Sequence, residues 1–148
     1  SKMMKYILFS SLEPSQLPVL KELTTNEICR VWAATSTYIR RQLLQKKAVN
    51  IGIGTFAVLP AHATLAEGEV LPLERPVFNL SRTLRKFYKL KCPKTKIPEE
   101  TPTVQLDFEE IAERIHFRGE IVEQCIHETL LFFAGTLQDG KEVEFSFR

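Results

Sequence analysis

Residues 50–60 read Asn-Ile-Gly-Ile-Gly-Thr-Phe-Ala-Val-Leu-Pro, and the role of Gly52 and Gly54 in this stretch decides what the rest of the chain can be. A glycine loop that cradles phosphate lies between a strand and the helix after it, so that the helix N-terminus faces the anion. Here the order is reversed. The glycines follow a long amphipathic pattern, and strand-like residues continue after them. No third glycine and no Gly-Lys-Ser/Thr follows. The glycines are therefore expected to serve the backbone, inside a strand over 49–59, at a bulge, a bend or a close approach.

Upstream, Ile28, Val31, Trp32, Thr35, Tyr38, Ile39 and Leu43 recur at three- and four-residue spacing, which predicts a helix over 25–47 with Trp32 in the core. Thr24 and Glu27 have the spacing of a capping box at its start. Residues 15–23 predict a short helix with Leu17 and Leu20 inward. Downstream, 60–68 reads as a turn and 69–78 as a second strand interrupted by prolines. Ser81 then caps a helix running to about Lys91. Helices are expected over 108–116 and 119–138, a turn at Asp139-Gly140 and a strand over 143–147. The class is α+β.

The net charge of +2 hides an asymmetry. Residues 1–97 carry 16 Lys/Arg against 6 Asp/Glu, and residues 98–148 carry 4 against 12, so the two parts stand at +10 and −8. The change falls in the proline-rich stretch 92–102, read as a linker between a unit at 1–91 and a second at 103–148. Opposite charges on tethered halves favour docking of one on the other. The halves also match under a shift of 94 residues. Val31 falls on Cys125, Thr35 on Thr129, Tyr38 on Phe132 and Ile39 on Phe133, followed by period-2 apolar runs in both. That is the pattern of a tandem repeat.

Chemistry-bearing residues are sparse. Cys29, Cys92 and Cys125 form no Cys-x-x-Cys pair, and no secretory leader is expected at the start, which favours a reducing, cytoplasmic setting. Cys125 and His127 lie two apart on a helix and point to different sides, so they do not form a nucleophile–base pair. Glu109, Glu110, Glu120 and Glu123 read as helix-surface and helix-start carboxylates. No catalytic residue, metal site or cofactor is expected, and no membrane span is foreseen.

The helix, the Gly52-Ile53-Gly54-Thr55-Phe56 strand motif, the hairpin and the short last helix, in that order over 15–91, resemble the bacterial HU/IHF fold. The wording of 31–59, of 75–81 and of 120–133 is closer to the tandem N-terminal HU-like domains of the coiled-coil domain-containing protein eighty-one family. The second unit, ending at Arg148, would then be a truncated or reduced copy. The resemblance implies a non-enzymatic module of a coiled-coil protein of the cytoskeleton, at the centrosome or the base of the cilium. It also implies an alternative, an architectural DNA binder that clamps the minor groove with basic arms and kinks the duplex with an apolar wedge.

The arm region tests that alternative. Residues 48–74 contain no Lys or Arg and carry Glu67, Glu69 and Glu74, with His62 as the one possible cation. Pro60 or Pro72 could be a wedge, but without flanking cations nothing holds it on phosphate. The turn reads as short, so little arm is expected to project. DNA is thus an unlikely partner and a protein the expected one. Against this, Arg82, Arg85, Lys86 and Lys89 recur on one helix face, and Lys91, Lys94 and Lys96 extend the row. The row reads as a solvated face, a surface for an acidic protein, or a phosphate-binding stripe. The halves are expected to pair within one chain or between two chains as a homodimer.

Overall fold

The computed structural model describes residues 18–87 and 95–138. Helix α1 (Pro18–Glu22) leads into α2 (Thr25–Leu44), then β1 (Ala48–Asn50), β2 (Gly54–Thr64), β3 (Val70–Leu80) and α3 (Arg82–Phe87). After residues 95–102 come β4 (Thr103–Gln105), α4 (Phe108–Ile115) and α5 (Gly119–Gln138). The four strands form one sheet in the order β3-β2-β1-β4. The strand expected over 143–147 lies outside the described residues, as does Leu17.

The long first helix starts where its capping box puts it. Thr24 Oγ1 accepts from the Glu27 amide at 3.1 Å, and Glu27 Oε1 accepts from the Thr24 amide at 2.9 Å. It ends at Leu44, three residues short of expectation, and Lys46 adopts a left-handed conformation with φ 61° as the chain leaves. Trp32, expected in the core, is only half-buried at its surface.

The single strand expected over 49–59 is instead two. The chain reverses at 51–53, so Val49 lies opposite Phe56 and Asn50 opposite Thr55. Gly52 turns the corner with φ 100°, its amide donating to Asn50 Oδ1 at 2.8 Å, and the Ile51 amide donates to the Gly54 carbonyl at 2.9 Å. Val49, Ile51 and Ile53 are all buried. Their period-2 pattern survives because two turn residues also point into the core, so periodicity could not show the reversal. Gly54 opens β2 where the β3 backbone passes close: a Cβ there would fall inside contact distance of the Asn79 carbonyl and the Phe78 ring.

The second half adds to the first. β4 pairs in parallel with β1, with Val104 opposite Val49, and the Ala48 amide donates to the Pro102 carbonyl at 2.8 Å. Asp107 Oδ1 caps α4 by accepting from the Glu110 amide at 3.1 Å. Helices α4 and α5 pack on α2, and one core runs through both halves, with Val31, Ile39 and Ile53 meeting Ile111, Val122, Ile126 and Leu130. The matched apolar stripe is only partly inward. Cys125 is buried and Phe133 half-buried, but Phe132 is 56% exposed.

Charged and polar groups fix the seam. Arg41 pairs with Glu110, and Arg30 donates to the Ile115 carbonyl at 3.1 Å while its guanidinium stands 5.3 Å from the centre of the Phe117 ring. Trp32 Nε1 donates to Thr129 Oγ1 at 3.2 Å. Glu128 is 1% exposed, and its carboxylate accepts from the amides of Val19 and Leu20, each at 3.0 Å. It therefore caps α1, whose first amides have no partner inside the helix.

Candidate functional site

The hairpin β2–β3 leaves the body of the molecule. Its strands are 11 residues each and pair without a break from Gly54↔Leu80 to Thr64↔Val70. The turn is confined to 65–69, closed by the Leu65 amide on the Glu69 carbonyl at 2.8 Å. Neither the turn expected at 60–68 nor the interrupted strand at 69–78 exists, and the arm is long. Residues 64–76 are all exposed.

The prolines explain the difference. The Ser81 amide donates to the Ile53 carbonyl and the Leu65 amide to the Glu69 carbonyl, so the odd-numbered pairs face each other across the ladder. Even-numbered residues direct their amides outward. Pro60, Pro72 and Pro76 are all even, so no ladder bond is lost, and both edges of the arm lack donors an added strand would need. Composition reads proline as a strand breaker; only the register shows these three to be harmless.

The register also sorts the arm's faces. The odd face carries Ala61 opposite Leu73 and Ala63 opposite Leu71, with Leu71 and Leu73 each 46% exposed. Leu65 continues this face to the turn, where Glu67 and Glu69 are exposed. At the other end it begins with Thr55 opposite Asn79, backed by the buried Phe56, whose ring centre lies 4.6 Å from that of Phe78.

Thr55 and Asn79 line a groove with Ser81, Arg82, Arg85 and Lys96, closed on one side by Glu99. One wall is residues 95–98. It is pinned to β3 because the Thr95 amide donates to Asn79 Oδ1 at 3.0 Å and Asn79 Nδ2 donates to the Thr95 carbonyl. Ser81 Oγ accepts from the Leu84 amide at 3.2 Å and starts α3. Of the basic row, Arg82 and Lys86 are exposed and Arg85 is half-buried, its Nε enclosed without a hydrogen-bond partner. Lys89, Lys91 and Lys94 lie outside the described residues. Lys96, expected to extend the row, lies on the linker and lines the groove from its other side. Among the described residues, Arg82, Arg85 and Lys96 have no ion-pair partner within 4.0 Å.

Burial also governs two side chains of α5. Burial lifts the Cys125 thiol to about 11, and burial lowers the His127 imidazole below its ordinary value. His127 borders a cavity of about 70 Å³ with Asn50, Gln105, Phe108 and Glu123, and its Nδ1 has no partner. Among the described residues no three His, Cys, Asp or Glu side chains converge as metal ligands, and no helix is long and apolar enough to cross a membrane.

Comparison with protein families gives two matches in sequence. Residues 8–92 match the model described as CCDC81 eukaryotic HU domain 1, and residues 102–148 match that of CCDC81 eukaryotic HU domain 2. Together they cover more than half of the chain.

Proposed function

Because the chain belongs to the CCDC81 eukaryotic HU family, its two HU-like domains in tandem, we propose that it is a non-enzymatic protein-interaction module whose working surface is the β2–β3 arm. The observation that carries this reading is the arm's composition in its setting. A hairpin that projects as far as this one exposes Leu65, Val70, Leu71 and Leu73, carries Glu67, Glu69 and Glu74, and has no Lys or Arg from 48 to 74. An arm that enters a DNA groove needs cations to replace the counterions it displaces. Exposed leucines on a hairpin whose edges are interrupted by proline suit a protein surface. The setting that accompanies this reading, through the family resemblance, is a coiled-coil protein in the cytoplasm, at the centrosome or the base of the cilium.

Titration with nicked duplex DNA at physiological salt tests the rival architectural role. The expected result is no saturable binding; sub-micromolar affinity that falls steeply with salt would overturn the reading. Proximity labelling of the full-length protein in ciliated cells tests the location, with enrichment of centrosomal neighbours expected.

A further inference from the structure

The odd face of the arm changes character along its length. At the base lies the groove with Arg82, Arg85 and Lys96. The middle holds Ala61, Ala63, Leu71 and Leu73, and the tip holds Glu67 and Glu69. From Thr55 to Leu65 the strand spans roughly 33 Å at about 3.3 Å per residue. A face that runs from basic through apolar to acidic is complementary to itself when a second copy lies antiparallel on it.

We propose that two copies of this chain associate through their arms, odd face to odd face and antiparallel, each acidic tip seated in the other's basic groove. The inference rests on the arm as an interaction surface and names its partner. Three observations select a second copy. The arrangement has two-fold symmetry, so each tip–groove contact is made twice, as an isologous interface requires. It covers Leu71 and Leu73 with their counterparts and matches the three groove cations with the glutamates of the other tip. It also pairs faces and not edges, whose outward amides Pro60, Pro72 and Pro76 interrupt. Arg75, opposite Leu59 on the same face, lies toward the base and adds to the positive end. Two hairpin faces make a small contact, so the dimer is weak, with a dissociation constant on the order of 10–100 μM.

Sedimentation equilibrium of the full chain, over about two decades of concentration around that value, reads the association. The mass is expected to rise from 17.0 kDa toward twice that, and less so in high salt. Leu73→Asp should weaken the dimer at least about tenfold. Charge reversal at the groove (Arg82→Glu with Arg85→Glu) and at the tip (Glu67→Lys with Glu69→Lys) should each abolish self-association. An equal mixture of the two reversed proteins should regain it, since every tip then meets a groove of opposite sign. The tip substitutions lie in an exposed turn, so they report on the contact even if the groove variant fails to fold. A mass of 17.0 kDa at every concentration, or a dimer indifferent to charge reversal, overturns the proposal. Either result leaves the interaction-module reading standing, which the DNA titration tests separately.

Discussion

Gly54 shows how one residue's role can be legible while its mechanism is not. The sequence indicates a backbone demand, and the structure supplies the cause, the β3 carbonyl of Asn79 and the Phe78 ring occupying the space of a side chain. Gly54→Val should cost about 1–3 kcal/mol, read as a lower melting midpoint. An unchanged midpoint would show that β3 yields. Gly52 acts differently, through its positive φ in the turn. His127 carries a pH dependence. Burial depresses its folded-state pKa below the ordinary 6.5, with Glu123 opposing the shift in part. The unfolded chain then binds a proton that the folded chain refuses, so stability is complete above about pH 6.5 and falls below it, by at most about 1.4 kcal/mol per pH unit for one group. Urea midpoints measured from pH 7.5 downward should show this slope, and His127→Phe should flatten it. The sequence does not mark Glu128, because a glutamate in a helix ordinarily faces water. Its neighbours Cys125, Ile126 and His127 are buried with it, so this turn of α5 has no wet side, and the carboxylate is matched by the amides at the start of α1.

Among the elements, the arm departs most from expectation. Its sequence reads as a turn over 60–68 and a strand over 69–78 interrupted by Pro72 and Pro76. A proline breaks a strand only where its missing amide would have faced the partner, and that depends on a register set by pairing. The arm adds almost nothing to the core, whose residues end at Ala57 on β2. Replacing residues 62–72 with Asn-Gly, which closes on the Ala61–Leu73 pair as a two-residue hairpin, should leave the melting midpoint within about 2 °C. The same variant should be monomeric at all concentrations. A large loss of stability would mean that the arm is part of the folded body.

At the scale of the whole molecule, the two halves share one core, so they should unfold together. Leu130, fully buried on α5, packs in the same cluster as Val31 and Ile39 of α2. Leu130→Ala should cost about 2–4 kcal/mol and shift fluorescence of Trp32, in the first half, by the same midpoint change as circular dichroism. Two separable transitions would contradict a common core. The sequence by itself determined the class, the helices with their caps, the tandem repeat, the opposed charges and the absence of Lys and Arg from 48–74, because local spacing and composition carry each of these. Tertiary structure alone decided where the chain reverses at Gly52, which face each arm residue occupies, that Thr103–Gln105 joins the sheet beside β1, and that Lys96 meets Arg82 and Arg85 across one groove. Those features depend on pairing between segments far apart in the chain, and a periodicity read along one segment contains no information about the register of its partner.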